Sequence, residues 1–220
     1  GADGSIGYEI TTKFLSAGAN CICIDKNLKN LKKLSTKEKY TSQITLIKVD
    51  LRKEGSINNL FKKIKKKFKV HILINNAGYT SSKSFFKYDL KEWEKTLKIN
   101  LTAPFLITQM ISKYYMPSGG SIINITSLAA EQGFPNNVAY VASKGGLKQL
   151  TKAIAIDLSK KNIRVNSIGP GYVKTNMTKQ SWNNSKKRKN RSERIISNRW
   201  AHPNDIANTC LFLGSDLSSY

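Results

Sequence analysis

The reading of this chain turns on Ser121-Ile-Ile-Asn-Ile-Thr-Ser127-Leu-Ala-Ala-Glu-Gln-Gly-Phe-Pro-Asn-Asn-Val-Ala-Tyr140-Val-Ala-Ser-Lys144. An apolar run from Ser121 to Ile125 comes first, so Ser127 stands where a strand should end. Tyr140 and Lys144 follow in a segment of helical spacing. Four residues apart, they share one helix face. A phenol beside an ammonium makes a proton donor and acceptor for near-neutral pH. The positive charge favours phenolate and lowers a pKa that is otherwise about 10. Tyr and Lys at this spacing also decorate solvated helices, so the pair needs support from the rest of the chain.

Working outward, strand and helix signals alternate. Upstream, Asn20-Cys-Ile-Cys-Ile-Asp25 reads as a short buried strand ending in an acid, and Leu28, Leu31 and Leu34 mark a helix. A strand over Ile44 to Val49 ends at Asp50. A Lys-rich helix is expected over about Ser56 to Phe68. The strand Val70 to Asn75 then runs into Asn75-Asn-Ala-Gly78. A long helical region covers about Leu90 to Met116, with Asn100 near its middle and Pro104 four residues on. Both residues disfavour a helix interior, so a local break is expected there. Downstream, the helix of Tyr140 runs on to about Lys160. Ile163 to Ile168 is a strand closed by Gly169-Pro-Gly171, and a final helix spans about Pro203 to Leu213. This alternation predicts an α/β fold, a parallel sheet with helices on both faces. Ligands of such sheets bind at the carboxyl ends of the strands. That edge would carry Asp25, Asp50, Asn76 and Ser127.

The opening Gly1-Ala-Asp-Gly-Ser-Ile-Gly7 leads into an amphipathic segment with Ile6, Ile10, Phe14 and Leu15. A glycine turn at a helix N-terminus suits phosphate, because the ligand approaches bare backbone and the free N–H groups and helix dipole favour an anion. Asp25, at the end of the next strand, is placed to hold a ribose diol. Capping the helix before Leu28 is its other reading, and the two roles are compatible.

At 220 residues, 40% of them hydrophobic, a single domain spanning 1–220 is expected. No run of 18 apolar residues occurs, so no membrane span is expected. The three cysteines, Cys21, Cys23 and Cys210, do not form a disulfide framework and point to a reducing, cytoplasmic setting. Cys21-x-Cys23 has no second Cys/His pair to complete a metal site, and the only histidines are His71 and His202. No metal is expected. The formal charge of +23 admits two readings. One is a nucleic-acid or polyanion surface. The other is heavy use of Lys on solvated helix faces such as Phe61 to Lys69. The second is favoured, so no nucleic-acid partner is expected. The exception is about Lys174 to Arg199, where Lys186-Lys-Arg-Lys189 and Arg191, Arg194 and Arg199 are opposed only by Glu193. The cluster lies inside the domain, which argues for a mobile basic lid beside the site rather than a nuclear-import tag.

With these residues assembled, the chain resembles the short-chain dehydrogenase/reductase family over essentially its whole length. Its Thr-Gly-x-x-x-Gly-x-Gly pattern is met by Gly1 and Gly7, with Ser5 in place of the middle glycine. Its Asn-Asn-Ala-Gly motif falls on Asn75 to Gly78. Its Asn, Ser, Tyr and Lys tetrad falls on Asn100, Ser127, Tyr140 and Lys144, and its Pro-Gly turn with a nearby Thr on Pro170, Gly171 and Thr175. The resemblance implies a Rossmann-like, doubly wound sheet and NAD(P)-dependent hydride transfer between nicotinamide and a carbonyl/alcohol pair. Tyr140 would be the acid/base, Lys144 its partner and a ribose ligand, and Ser127 the holder of the reacting oxygen. Asn100 would hold a relay water. Implied cofactor contacts are Gly1, Ser5, Ile6, Gly7, Asp25, Asp50, Leu51, Asn76, Ala77, Gly78, Tyr140, Lys144, Pro170, Gly171, Val173 and Thr175. A carboxylate at Asp25, with no Arg or Lys in 1–7, favours NAD over NADP. The family also has a strand before the first glycine and another beyond residues like 211–220, so a piece trimmed of its first and last strands is expected. The resemblance also implies a homotetramer or homodimer at full length. The stretch Gly171 to Thr175, the basic segment and Arg199 to Pro203 are similar to two subgroups. These are sugar-acid dehydrogenases and 3-oxoacyl carrier-protein reductases, which implies a small or carrier-linked anionic substrate. A rival reading is a catalytically inactive protein that binds nucleic acid through its charge.

Overall fold

The computed structural model describes residues 1–64 and 68–219. Its strands are β1 (Cys21–Asp25), β2 (Ile44–Lys48), β3 (Ile72–Asn75), β4 (Gly120–Ile125) and β5 (Ile163–Ile168). All pair in parallel, with Cys21 opposite Ile44, Ile72 opposite Ser121 and Gly120 opposite Ile163. The longer helices are α1 (Ser5–Ser16), α2 (Lys29–Ser35), α3 (Glu54–Lys63), α4 (Leu90–Leu97), α5 (Ala103–Tyr114) and α6 (Val138–Leu158). They are followed by α7 (Lys179–Asn183), α8 (Ser185–Ser192) and α9 (Pro203–Gly214). The expected helix over 56–68 starts two residues early and is regular to Lys63. Residues 65–67 of that expectation lie outside the described residues.

The parallel α/β arrangement is as expected, and the described strands form two sheets, β1-β2 and β3-β4-β5. Their carboxyl ends meet through the turn at residues 1–4 rather than through a strand. The Ala2 amide donates to the Ile24 carbonyl at 3.2 Å, and Asn76 Nδ2 donates to the Gly1 carbonyl at 2.8 Å. A Cβ on Gly1 would lie 2.6 Å from Ala77, so only glycine allows this approach.

Alternation along β4 sorts the two faces. Ile123 and Ile125 join Ile10 and Phe14 of α1 and Ile206, Ala207 and Cys210 of α9 in one apolar cluster. Ile122 joins Ile57 and Leu60 of α3 and Ile107 and Ile111 of α5 on the other side. Leu31 and Leu34 of α2 pack with Leu15 and Cys23 in a third cluster. Cys21, Cys23 and Cys210 are all free thiols. Burial pushes Cys21 and Cys210 up to about 12, which keeps them unreactive.

The α3/α5 face also holds a polar chain. Asn75 Nδ2 donates to Thr108 Oγ1 at 3.1 Å and to Asn124 Oδ1 at 2.8 Å, and Asn124 Nδ2 donates to Thr151 Oγ1 at 2.9 Å. These bonds join β3, β4, α5 and α6 at a depth where Asn124 is 1% exposed. Replacing Asn124 by Ala should therefore lower unfolding free energy by about 2–4 kcal/mol, because partners on two elements lose their bonds in the dry interior. A denaturant titration that moves by less than 1 kcal/mol (about the worth of one ordinary hydrogen bond) would show that the chain is not a structural clamp.

Candidate active site

Beyond β4, Ser127 is extended and caps the turn Leu128–Ala130, its Oγ accepting from the Ala129 amide at 3.1 Å. That bond leaves the hydroxyl proton to be donated elsewhere. Tyr140 is in the first turn of α6, and its phenol is near enough to Ser127 for the hydroxyl to act on its pKa. Burial pushes the Tyr140 phenol above its usual value of 10, and the Ser127 hydroxyl pulls the other way.

Lys144 lies one turn further along α6 and is 3% exposed. Its Nζ donates to the Ile125 carbonyl at 2.7 Å and sits 5.8 Å from the centre of the Tyr140 ring. Burial lowers the ammonium pKa to about 8. The sequence reading has Lys144 lowering the Tyr140 pKa. In the structure the amine is bound to the end of β4, and burial is the largest influence on the phenol. The helical spacing places both side chains on one face, but the nearest acceptor decides where a long amine points.

Asn100 sits in the expected break, which is a π-helical turn over Lys98–Thr102 leading into α5. Pro104 has no N–H for the carbonyl four residues back, which is that of Asn100, and the i→i+5 pattern accommodates the loss. The Asn100 carboxamide is fully buried and heavily engaged. It accepts from the Tyr79 amide at 2.8 Å and donates to the Tyr79 carbonyl at 2.8 Å and to Ser143 Oγ at 3.0 Å. Ser143 Oγ in turn donates to the Tyr140 carbonyl at 2.8 Å. Asn100 thus ties the strand end at Gly78-Tyr79 to the turn of α6 that bears Tyr140. The side chain has both N–H groups in use, so any water it holds must sit elsewhere, at its backbone carbonyl.

The glycine turn lies against the end of β3. A Cβ on Gly7 would fall 2.1 Å from the Gly1 carbonyl and 2.8 Å from Asn76 Nδ2. α1 begins at Ser5 with Gly4 at its cap, no side-chain cap and no acid in its first turn. Its first N–H groups, at Ser5, Ile6 and Gly7, are the donors a phosphate needs. The substitution of Ser5 for glycine leaves this helix start intact. The Asp25 carboxylate accepts from the Asp3 and Asn27 amides, each at 3.0 Å. It does not cap α2, so the capping alternative fails. Asp3 performs that bracing instead, accepting from the Leu31 amide at 2.7 Å and from Asn30 Nδ2 at 3.2 Å. Asp50, next to half-buried Leu51, is paired with Arg52, whose Nε lies 2.9 Å from both carboxylate oxygens. The Arg52 hydrogen bonds hold it at about 2.

On the far side, the Pro170 carbonyl accepts from the Leu128 amide, tying the Pro170-Gly171 turn to Ser127. Val173 is buried and bridges to Ala201. Thr175 pairs with Thr178, and the neighbouring Asn176 amide donates to Ser5 Oγ at 3.3 Å, so this turn touches the phosphate turn. The basic segment beyond is not a plain loop. It holds α7 and α8, with Asn184 capping α8 by accepting from the Lys187 amide at 2.9 Å. Lys and Arg are good helix formers, and Asn is a favoured cap. Asp3, Tyr79 and Ser143 are not among the residues the motifs mark. Only the last carried a signal, as a small hydroxyl one residue before Lys144 on a helix face turned inward.

Among known proteins, the family model described as enoyl-(acyl carrier protein) reductase matches residues 1–220. A 3-oxoacyl-[acyl-carrier-protein] reductase of Aquifex aeolicus is 35% identical, over 100% of this chain and 90% of its own length. The structure of 4-hydroxyisoleucine dehydrogenase complexed with NADH superposes with a TM-score of 0.90 at 31% identity, over 100% of this chain and 90% of that one. A protein assigned as an NAD(P)-dependent gluconate 5-dehydrogenase from Beutenbergia cavernae, with NADP bound at low occupancy, gives 0.92 at 27% identity. It covers 100% of this chain and 89% of that one.

The buried Lys144 has a consequence for stability. Its folded pKa is about 8 against an ordinary 10.5. Between those values the unfolded chain binds more protons than the folded one, so stability rises with pH across that window, by about 3 kcal/mol at most. The Lys144→Met variant should lose this rise while keeping its fold, as chemical denaturation at pH 7.5 and pH 10 would show. An unchanged pH dependence would mean that Lys144 titrates normally.

Proposed function

Because the chain belongs to the short-chain dehydrogenase/reductase family, we propose that it interconverts a carbonyl and an alcohol on a small anionic hydroxy or keto compound, such as a sugar acid. The observation that supports this most directly is the convergence of Ser127, Tyr140 and Lys144 at the end of β4, with Asn100 locking the neighbouring strand end to α6. Nicotinamide, when bound, supplies or takes the hydride, and the remaining work falls to this chain's side chains.

In this reading, Tyr140 gives its phenolic proton to the carbonyl oxygen in reduction and takes it from the alcohol in oxidation. Ser127 donates its hydroxyl proton to the same oxygen and stabilises the charge that develops there. Lys144 has two further N–H donors besides the one on Ile125, available for ribose hydroxyls. An ammonium so buried sheds a proton readily, which suits it to pass one on after Tyr140 has given up its own. Asn100 and Ser143 hold the geometry. The α1 N-terminus would take the pyrophosphate, and Asn76 to Gly78, Pro170, Gly171, Val173 and Thr175 would border the nicotinamide half. Asp25 would hold the adenosine ribose, with Asp50 and Leu51 near the base.

A preference for NAD over NADP is part of the reading. Two carboxylates, Asp3 and Asp25, stand at the ribose end, and a 2′-phosphate there meets like charge. An anionic substrate suits the net positive charge of residues 174–199, whose base touches the phosphate turn. Reduction of 3-oxoacyl groups on a carrier protein is the second reading, favoured by the Aquifex aeolicus relative. A panel of hydroxy acids, polyols and 3-oxoacyl thioesters with both cofactors decides between them.

Tyr140→Phe should reduce turnover by at least about 10²-fold while leaving NADH affinity within twofold, measured by kinetics and by fluorescence titration. Retained turnover would remove Tyr140 from the chemistry. The ratio of kcat/KM for NAD over NADP should exceed about tenfold, a like-charge penalty of about 1.4 kcal/mol. Equal efficiencies would overturn the role given to the two acids.

A further inference from the structure

α8 is a helix without an apolar face. Five of its eight residues, Lys186, Lys187, Arg188, Lys189 and Arg191, are basic, none is acidic and none is buried. Like charges at such spacing repel, and a helix polar all round has no core face to hold it in place. What it rests on is a cluster of aromatic rings. The Arg188 guanidinium lies 5.3 Å from the Trp182 ring, and Arg191 lies 4.9 Å from Tyr172 and 5.9 Å from Trp200. Lys174 lies 4.4 Å from Trp182, and Trp182 meets Trp200 edge to face at 5.4 Å. The rings therefore hold cations in fixed positions without neutralising them.

Between α8 and residues 198–202 is a cavity of about 540 Å³, lined by Trp182, Arg188, Lys189, Arg199, Trp200 and His202, with serine hydroxyls and Asn198 completing it. No carboxylate lines it. Arg199 is paired with Asp205 at 2.8 Å, but among the described residues Arg188 and Lys189 have no acidic partner. Trp200 is 4% exposed, and its indole N–H has no acceptor among the described residues. A buried donor left this way costs about 1–3 kcal/mol. Concentrated unpaired cations and hydroxyl donors ask for the same thing, an oxygen-rich anion.

We propose that this cavity is a binding site for an oligoanionic phosphate, clamped between Arg188 and Lys189 on α8 and the Trp200 side of the cleft. Phosphate oxygens match the Arg fork and provide several acceptors in a small volume. More than one negative charge is required to relieve the five cations of α8. None of Asn100, Ser127, Tyr140 and Lys144 lines the cavity, so the ligand is not the group that is oxidised or reduced. Its effect is to fix α8. Because the base of this segment is bonded to the phosphate turn through Asn176 and Ser5, ligand binding there and cofactor binding share one structural element.

Two of the three tryptophans, Trp182 and Trp200, border the cavity, so intrinsic fluorescence reads it directly. Titration with tripolyphosphate in 0.1 M salt, with NADH-saturated protein as a second arm, should give a saturable, one-to-one change in both arms. The double variant R188Q/K189Q should bind at least about tenfold more weakly, a loss of about 1.4 kcal/mol. The equally charge-depleted K37Q/K39Q should stay within twofold, and Tyr140→Phe should bind normally. An absent or unsaturable signal in both fluorescence and calorimetry would overturn the proposal. So would equal weakening in K37Q/K39Q, which marks non-specific attraction to a cationic protein. Loss of the signal in the NADH arm would also overturn it, placing the phosphate at α1 instead. The Tyr140→Phe arm keeps this test independent of the oxidoreductase reading.

Discussion

The constraint on which the rest of the structure depends is the satisfaction of a few amides in the interior. Asn75 and Asn124 face the helices from adjacent strands, and each must find partners because an unpaired amide there is costly. Thr108 on α5 and Thr151 on α6 supply them. Apolar packing alone would let α5 and α6 slide along the sheet, since it is non-directional. The hydrogen bonds fix their height. Asn100 extends the same logic to the sheet edge, where its carboxamide is shared between the strand end at Tyr79 and Ser143 on α6.

With α6 fixed in this way, the cost of the site becomes intelligible. Tyr140 and Lys144 are both held in surroundings that disfavour their charged forms. A stability-optimised helix would carry apolar side chains at both positions. Desolvation favours the neutral form of both groups, making the phenol reluctant to lose its proton and the ammonium ready to do so. The site is thus tuned more by burial than by the mutual attraction of the pair, and a bound cofactor that brings hydroxyls to Lys144 would alter that tuning locally.

The charge of the molecule divides in the same physical terms. Many of the described lysines lie exposed on helices, where they solvate the chain. The cations around Trp182 and Trp200 differ because rings hold them close together, and a cation held against a ring keeps its charge. Arg199, bound to Asp205, shows what neutralisation looks like in the same neighbourhood.

The sequence by itself determined the order of strands and helices, the acids and amides at the strand ends, the break at Asn100 and the Tyr140–Lys144 face. Each is legible because it follows from local rules: apolar period, the missing N–H of proline, and the four-residue spacing of a helix face. Tertiary structure alone decided what these groups touch. It set the Gly1 turn against Ile24 and Asn76, gave α2 to Asp3 rather than Asp25, and paired Asp50 with Arg52. It also turned Lys144 toward Ile125 and folded the basic segment onto an aromatic cluster. These outcomes depend on which donor or acceptor, distant in the chain, arrives within three ångströms of another, and no period or spacing in one sequence carries that distance.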